Sequence, residues 1–259
     1  MSALETRHVS KSFGSLKVTD DVTLSFEAGK RYAIIGPNGA GKTTFFNLLA
    51  GNLRPDAGQI VLDGKDITRL DVTSRARTGI ARSFQRNNLF PAMSVRDNLA
   101  IASAIHAGSA PVFWRPLSRS RALYAKADAI AEQVGLTSEL NTTVRFMSYG
   151  SQRQLEVALA LACEPKVLLL DEPTSGMSPQ ETARMDALIN GLPRDLTVIV
   201  IEHDMDIVLD FADHIAVLDY GRVLEQGSPE YIKGSDIVRQ RYLGGEGDVF
   251  GNRETGGAG

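Results

Sequence analysis

The chain has 259 residues, 43% of them hydrophobic and 23% charged, which is the composition of an ordinary soluble globular protein. Its formal net charge of −3 provides no overall basic field, so nucleic acid is not suggested as a partner. No stretch approaches the ~20 apolar residues of a membrane span, and residues 1–8 lack the apolar core of a signal peptide. The single cysteine, Cys163, excludes an internal disulfide and lies in an apolar run, so we expect a buried structural thiol in a protein of the reducing cytosol.

The first predicted elements are strands. Residues 4–35 favour short strands around turns, because apolar Val22, Leu24 and Phe26 alternate with polar residues. A glycine-rich turn and a helix-prone run follow, and residues 59–62 then predict a further strand.

The character of the chain changes between about residues 87 and 143, where alanine, leucine and long polar side chains dominate. Apolar positions recur at helical spacing behind Ser94, which is predicted to cap the N-terminus of a helix. A second helix-rich run covers about residues 117–134. This part of the chain therefore predicts a helical subdomain inserted into an α/β core.

An α/β alternation returns after residue 166. The predicted elements, in chain order, are a strand at 167–170, a helix at 179–190, a strand at 196–201, a short helix after Asp204 and a strand at 215–218. Short apolar strands that alternate with helices predict a parallel sheet covered by helices on both faces. Residues 244–259 are rich in glycine and nearly devoid of apolar side chains, which predicts a flexible tail.

The most informative stretch is Gly36-Pro-Asn-Gly-Ala-Gly-Lys42-Thr43, which lies between a β-prone run and a helix-prone run. A strand, a glycine turn and a helix N-terminus together form a phosphate-binding loop, in which backbone N–H groups and the helix dipole face the phosphate. Lys42 is placed to reach the β- and γ-phosphates, and the Thr43 hydroxyl to ligate Mg²⁺. The predicted nucleotide-binding residues of this segment are Gly36, Asn38, Gly39, Ala40, Gly41, Lys42, Thr43 and Thr44.

A second candidate lies at the end of the apolar run Val167-Leu-Leu-Leu-Asp171-Glu172. A buried parallel strand that ends in Asp171 brings this carboxylate to the sheet edge where open α/β sheets bind ligands, within reach of the Mg²⁺ shell through water. Glu172 is then placed to polarise an attacking water. Such a run taken alone is more often only a strand end; the phosphate-binding loop upstream favours the functional interpretation.

A further motif lies just before the Asp-Glu strand. Residues 147–152, Met-Ser-Tyr-Gly-Ser-Gln, open a helical run just before the Asp-Glu strand, which continues as Asp171-Glu-Pro-Thr-Ser. Together with Gln85, His203 and Phe13, these residues resemble the signature sequence, Q-loop, switch histidine and adenine-stacking aromatic of the ATP-binding cassette (ABC) ATPases. The resemblance spans residues 4 to about 243.

The resemblance implies roles for these residues. Gln85 would complete the Mg²⁺ shell beside Thr43 and Asp171 and touch the attacking water. His203 would hydrogen-bond the γ-phosphate and orient Glu172, and Phe13 would stack on adenine. Gln85, Glu172 and His203 are thus the implied catalytic residues, with ATP and Mg²⁺ as the implied ligands.

In the family, two cassettes stack head to tail, so the signature of one faces the nucleotide of the other. The Ser148 hydroxyl and the Gly150 amide would therefore bind the γ-phosphate in trans, at the N-terminus of a helix.

The resemblance also implies a fold and a domain division. We expect an α/β P-loop core of the ABC type, with a parallel sheet between helices, an N-terminal antiparallel β subdomain and an inserted helical subdomain. Residues 1–243 would form a single ATPase domain, followed by the tail. The core would comprise residues 1–86 and 154–243, and the helical subdomain residues 87–153, which include the signature.

Two positions depart from the family pattern. The usual signature is Leu-Ser-Gly-Gly-Gln, whereas Tyr149 replaces its first glycine and Ser151 its glutamine. The loop after Asp-Glu-Pro-Thr-Ser usually carries Leu-Asp before a proline, and here it carries Met177-Ser178. These departures bear on communication between two active sites and leave the nucleotide-binding loop unaffected.

The Ser-Tyr-Gly signature, the stretch at 81–90 and the run at 175–182 resemble one bacterial branch, the longer ATPase of branched-chain (hydrophobic) amino acid uptake systems. Related systems carry urea, amides or aromatic acids, so the cargo stays open. This branch implies a second ATPase subunit, two membrane permease subunits and, indirectly, a periplasmic solute-binding protein. A heterodimer is expected, with a homodimer as the alternative. The location implied is the cytoplasmic face of the inner membrane, through the membrane subunits.

Two other functions compete with transport. One is a nucleotide-gated regulatory ABC protein without transport, although such proteins usually carry two cassettes or a coiled-coil insertion. The other is a degenerate cassette beside an active partner, which the presence of Glu172 and His203 disfavours but Ser151 and Ser178 leave open. The loop around Trp114 is interpreted as a surface loop pinned by one aromatic side chain, with contact to a membrane subunit or to anionic headgroups as the alternative.

Overall fold

Two β-sheets and a group of helices organise the chain in the computed structural model, which describes residues 2–83, 89–107, 120–203 and 205–240. Gln85, Trp114, Asp204 and the predicted tail lie outside these residues, so the predictions about them stay predictions. Within these ranges, none of the helices combines the length and the apolar character that a bilayer crossing requires.

The smaller sheet is antiparallel, with strand order β2-β1-β4-β5. Its strands are β1 (Ser2–Phe13), β2 (Leu16–Glu27), β4 (Ala57–Leu62) and β5 (Lys65–Asp66). The predicted antiparallel β subdomain is thus present, but β1 and β2 are twelve-residue strands rather than short ones. The register between them shifts at several points, which interrupts the regular alternation that marks a long strand in the sequence.

The larger sheet has six strands in the order β10-β9-β3-β8-β7-β6. They are β3 (Arg31–Ile35), β6 (Ile80–Arg82), β7 (Val167–Asp171), β8 (Thr197–Ile201), β9 (His214–Asp219) and β10 (Arg222–Gly227). All neighbours pair in parallel except β10, which is antiparallel to β9. Every residue of β3, β7 and β8 is buried, as expected for central strands that are covered on both faces. The predicted parallel sheet is confirmed.

The two faces of this sheet contribute to two hydrophobic cores because side chains alternate along each strand. In β7, Val167 and Leu169 pack with α1 and the antiparallel sheet. Leu168 and Leu170 pack on the other side, with the helices of the remaining chain. The helices are α1 (Lys42–Ala50), α2 (Val72–Thr78), α3 (Val95–His106), α4 (Arg121–Gln133), α5 (Tyr149–Leu161), α6 (Pro179–Asn190), α7 (Met205–Phe211), α8 (Pro229–Gly234) and α9 (Asp236–Val238).

Arg75 fixes the C-terminal end of α1. Its guanidinium is fully buried and donates hydrogen bonds to the carbonyl oxygens of Leu48 (2.5 Å) and Leu49 (2.7 Å). These carbonyls lack partners within the helix, so the arginine satisfies them. Burial lowers the pKa of Arg75 to about 10, which still leaves it charged at neutral pH. Because α1 is anchored at this end, its N-terminus holds a fixed position at the edge of the larger sheet.

The helical segment begins as the sequence predicts. Ser94 caps α3, and its side chain accepts a hydrogen bond from the backbone N–H of Asp97. The predicted subdomain boundary between residues 153 and 154 falls inside α5, which runs without a break from this segment to the core. Cys163 follows α5 and is half-buried rather than fully buried as expected, and burial raises the pKa of its thiol.

Candidate functional site: the carboxyl edge of the parallel sheet

Four segments that carry predicted site residues follow strands of the parallel sheet along the chain. The loop 36–41 follows β3, Glu172 follows β7, and His203 lies two residues after β8. The segment that contains Gln85 follows β6 and lies outside the described residues. Because the carboxyl ends of parallel strands meet at one edge of a sheet, the fold brings these strand ends together although they are widely separated in the chain.

The phosphate-binding loop depends on glycines that no other residue could replace without strain. Gly39 and Gly41 have φ angles of 83° and 95°, in the left-handed region. A Cβ atom at Gly41 would lie 2.4 Å from the carbonyl oxygen of Val18, so the loop also packs closely against β2. The side chains of Asn38 and Thr43 are exposed and Thr44 is half-buried, while Ala40 is buried beneath the turn. The loop leads directly into α1, whose N-terminus lacks a side-chain cap.

Lys42 is the first residue of α1, directly after this loop. It is 8% exposed, and its Nζ donates hydrogen bonds to the carbonyl oxygens of Gly36 (2.6 Å) and Pro37 (3.1 Å). Burial lowers the pKa of the ammonium group, and the nearby carboxylates of Glu172 and Asp171 oppose that shift. Two backbone oxygens therefore hold the Lys42 ammonium at the sheet edge, near the carboxylates of Glu172 and Asp171.

Asp171 ends β7 with a side chain that is only 2% exposed. A buried carboxylate needs a partner, and Arg82 of the neighbouring strand β6 provides one. Its Nη2 lies 2.5 Å from Asp171 Oδ2, and its Nη1 donates to Asn47 Oδ1 of α1 at 2.7 Å. Arg82 is a site residue that the sequence did not predict, because it lies 89 residues from Asp171.

Glu172 has an unusual backbone conformation. Its φ angle is 45°, a left-handed conformation that is uncommon for a residue with a side chain. The conformation is held by a hydrogen bond from its backbone N–H to the carbonyl oxygen of Ile201 in β8 (3.0 Å). The side chain is half-buried beside the charge of Lys42.

His203 presents an open side chain at the same edge, with 63% of it exposed. Its backbone N–H donates to the Glu202 carboxylate (3.2 Å), and this carboxylate also accepts a bond from the Thr174 hydroxyl (2.7 Å).

Phe13, predicted to stack on adenine, ends β1 with a half-exposed ring, and Lys11 Nζ lies 5.8 Å from the ring centroid. The Phe13 ring and the His203 imidazole are therefore both accessible to solvent.

The signature residues open α5. Ser148 is the N-cap, and its hydroxyl accepts a hydrogen bond from the Ser151 backbone N–H (3.1 Å). The Gly150 amide, predicted to bind a partner's nucleotide, donates to Glu181 Oε1 of the same chain (2.9 Å). Glu181 also receives hydrogen bonds from Ser178, and these bonds and that of Gly150 lower the pKa of its carboxyl. A carboxylate therefore lies against the signature amide in the free chain, a contact that the sequence did not reveal.

The two departures from the family pattern have local structural explanations. The Tyr149 hydroxyl donates to the Ser175 carbonyl oxygen (3.1 Å), so it links the signature to the loop after β7. Ser178 is the N-cap of α6 and forms a capping box with Glu181. Serine and aspartate are about equally good N-caps, so Ser178 preserves the helix start that an aspartate would provide. The Ser151 hydroxyl donates to Glu139 Oε1 (2.8 Å).

Among the described residues, few side chains at this edge could ligate Mg²⁺. No group of three or more His, Cys, Asp or Glu side chains that could hold a metal occurs among the described residues. Mg²⁺ at nucleotide sites typically takes only one or two protein ligands and completes its shell with phosphates and water. The exposed Thr43 hydroxyl and the Asp171 carboxylate fit that requirement, whereas an all-protein cage would not be expected.

The fold and the edge loops define a P-loop ATPase: a parallel sheet carries a glycine loop at a helix N-terminus and, two strands away, a strand that ends in Asp-Glu. The family model described as "ABC transporter" matches residues 19–175. The chain belongs to this family, and it is a nucleotide-binding ABC ATPase.

Curated relatives cover almost the whole chain. The high-affinity branched-chain amino acid transport ATP-binding protein BraF of Pseudomonas aeruginosa is 39% identical over 248 residues, 93% of this chain and 97% of the relative. The corresponding LivG protein of Escherichia coli K12 is 37% identical over 242 residues, 90% of this chain and 94% of the relative. The lipopolysaccharide export system ATP-binding protein LptB of Haemophilus influenzae is 33% identical, with coverage of 94% and 98%.

Solved structures support the same fold. The ADP conformation of an ATP-binding cassette from an ABC transporter has a TM-score of 0.83 and 30% identity, and the match covers 94% of this chain and 99% of that one. A nucleotide-free ATP-binding cassette from an ABC transporter has a TM-score of 0.82 and 28% identity, with coverage of 94% and 99%. The predicted ABC fold is confirmed.

Proposed function

We propose that the chain is the ATP-hydrolysing subunit of a bacterial ABC importer for branched-chain amino acids or a related small solute. The observation that carries this proposal is the similarity to BraF and LivG, which exceeds that to LptB and extends over nine-tenths of the chain. The retained Lys42, Asp171 and Glu172 support a working enzyme rather than a degenerate cassette. Urea, amides and aromatic acids, which related systems carry, are the alternative cargoes.

ATP is proposed to bind at the loop 36–41 and the N-terminus of α1. The backbone N–H groups of the loop and the Lys42 ammonium would hold the β- and γ-phosphates, and Phe13 would stack on the adenine ring. Thr43, Asp171 and Gln85 are the proposed holders of Mg²⁺. When bound, Mg²⁺ supplies positive charge to the phosphate oxygens. The position of Lys42 against two loop carbonyls supports this assignment.

Hydrolysis is proposed to depend on three side chains. Glu172 accepts a proton from the attacking water, Gln85 orients that water, and His203 hydrogen-bonds the γ-phosphate. Support comes from the hydrogen bond that holds the backbone of Glu172 against β8 and from the exposed imidazole of His203.

The complete active site is proposed to form between two cassettes, and the partner is proposed to be a second, different one. Ser148 and Gly150 would then bind the γ-phosphate held by that partner. Because Glu181 bonds the Gly150 amide in the free chain, its carboxylate would have to withdraw when the cassettes close. We expect the isolated chain to pair weakly and to be a poor ATPase.

We further propose that residues 1–243 form one ATPase domain that acts with two permease subunits and, through them, a periplasmic binding protein. The core would comprise residues 1–86 and 154–243, the helical subdomain residues 87–153, and the tail residues 244–259. This arrangement would hold the chain at the cytoplasmic face of the inner membrane.

Co-expression with the proteins encoded beside it tests this proposal. Copurification with two permeases and a second cassette is expected, and vesicles containing the complex should import leucine with ATP and the binding protein. Import of urea or an aromatic acid in place of leucine would correct the cargo only. Copurification with ribosomes or DNA and without membrane subunits would overturn the transport function.

A further inference from the structure

Glu202 is a buried acid that the proposed function does not use. It lies between the last residue of β8 and His203, and it is 1% exposed. Glutamate is almost never buried to this extent without partners, because loss of hydration penalises the charged carboxylate. Burial raises the pKa of Glu202, and its hydrogen bonds to Thr174 and His203 oppose that shift. The hydrogen bonds of this carboxylate therefore offset part of the cost of burying it.

One oxygen of Glu202 binds the loop after β7, and the other binds the residue that follows Glu202 in its own loop. Oε1 accepts a hydrogen bond from the Thr174 hydroxyl (2.7 Å) and a longer one from the Thr174 backbone N–H (3.4 Å). Oε2 accepts from the His203 backbone N–H (3.2 Å) and lies 3.7 Å from the ring Nδ1. Thr174 is two residues after Glu172, so a single carboxylate connects the loop of Glu172 with that of His203.

The Glu202 bridge lies beside a cavity. A cavity of about 210 Å³ lies below the two loops, and Glu202 and Thr174 are part of its lining together with residues of α6 and α7. Side chains do not completely fill this space, so the hydrogen bonds of Glu202 add to the packing contacts that hold the loops. The hydrogen bond from the Glu172 N–H to the Ile201 carbonyl fixes the start of one loop, and the Glu202 bridge fixes that loop at Thr174.

We propose that Glu202 is a positioning residue for ATP hydrolysis: through Thr174 and the His203 backbone it sets the loop that carries Glu172 relative to the loop that carries His203. This inference rests on the proposed roles of Glu172 and His203. A carboxylate is suited to the task because it accepts hydrogen bonds on both oxygens, whereas the amide of glutamine accepts on only one. The carboxylate is not expected to touch ATP.

The test uses the full chain in complex with its partner cassette and compares three variants. Thr174→Val removes only the hydroxyl, Glu202→Gln removes one acceptor, and Glu202→Asp keeps the charge but shortens the reach. A small misplacement of a catalytic group can lower turnover by about 100-fold, so we expect each variant to lower kcat by about 10-fold to 100-fold. The Kd for ATP, measured on the isolated chain, should change less than about twofold because the phosphate-binding loop is untouched.

A matched control separates positioning from stability. Thr197 is buried at the other end of β8, and its hydroxyl accepts a hydrogen bond from the Gly29 backbone N–H (3.0 Å). Thr197→Val should lower the melting temperature as Thr174→Val does, while kcat per folded molecule stays at the wild-type value. The combination of Thr174→Val with Glu202→Gln should lower kcat little more than either change alone, because both break one bridge.

Several results would overturn the inference. Normal kcat in Glu202→Asp would show that reach is irrelevant, and multiplicative effects of Thr174→Val and Glu202→Gln would show that the two residues act separately. A loss of kcat that only tracks the loss of folded protein, as in Thr197→Val, would show a structural role. Absence of ATP turnover in the wild-type complex would contradict the proposed function instead, so the two failures are distinguishable.

Discussion

The Gly41→Ala substitution tests whether the phosphate-binding loop has the conformation described. Gly41 has a φ angle of 95°, and a Cβ atom there would lie 2.4 Å from the carbonyl oxygen of Val18. Gly39 offers a matched control in the same loop. Its φ angle is 83°, but an added Cβ would have no atom within 4 Å. The two alanine variants therefore share the backbone strain, and only Gly41→Ala adds a collision with backbone.

The expected cost comes from these two contributions. An L-residue in the left-handed region costs about 1–2 kcal/mol. Forcing an extra atom into well-packed surroundings adds about 1–3 kcal/mol. Gly39→Ala should therefore destabilise the protein by about 1 kcal/mol and Gly41→Ala by about 3 kcal/mol. For a chain of this size, 1 kcal/mol corresponds to about 2–4 °C in the melting temperature.

Thermal unfolding without nucleotide, followed by circular dichroism, measures both costs. The melting temperature should fall by about 2–4 °C in Gly39→Ala and by about 6–12 °C in Gly41→Ala. Equal shifts in the two variants would refute the close contact between Gly41 and β2. A larger shift in Gly39→Ala would refute the loop conformation altogether.

Three further substitutions address ligand binding. Lys42→Ala should weaken ATP affinity of the isolated chain by roughly 100-fold, through loss of charge-assisted bonds to the phosphates worth about 3 kcal/mol; a titration with a fluorescent ATP analogue that gives an unchanged Kd would contradict it. Ser148→Arg should stop turnover of the mixed complex while the isolated chain keeps its Kd; a parallel fall of both would show that the signature acts in cis. Glu181→Gln should let ATP pair the cassettes at a lower concentration, because a neutral amide competes less for the Gly150 N–H; an unchanged or higher concentration in size-exclusion chromatography would refute the competition.

Local signals predicted the parts of the site that depend on neighbouring residues. The glycine spacing of residues 36–41 specified a turn before a helix, and the apolar run before Asp171 specified a buried strand. Ser94 was predicted as an N-cap from its place before a helical pattern, and its side chain forms that bond. Each of these signals lies within a window of about ten residues, where backbone preferences decide the structure.

Side-chain pairs across long separations were not predictable in the same way. Arg82 and Asp171 are 89 residues apart, Gly150 and Glu181 are 31 apart, and Thr174 and Glu202 are 28 apart. Each contact exists only because two elements that are distant in the chain become neighbours in the folded protein. An arginine or glutamate in the sequence is most often a solvated surface residue, so its identity alone gave no signal.

Strand lengths were the other weakness of the sequence interpretation. β1 and β2 extend over twelve residues, but register shifts interrupt their pairing, so the apolar alternation holds only over parts of each strand. β6 has three residues, Ile80–Arg82, which is too short for any period to be seen. It forms because its neighbour β7 supplies a ready edge for parallel pairing.

ATP turnover by the Glu172→Gln variant, in complex with the partner cassette, bears most directly on ATP hydrolysis at this sheet edge. The amide cannot accept the proton of the attacking water, and general-base catalysis contributes about 100-fold to 10,000-fold. We therefore expect turnover to fall by at least about 100-fold, while the Kd for ATP stays unchanged and the paired cassettes accumulate with ATP bound. Turnover close to the wild-type rate, with normal release of ADP, would contradict the role of Glu172.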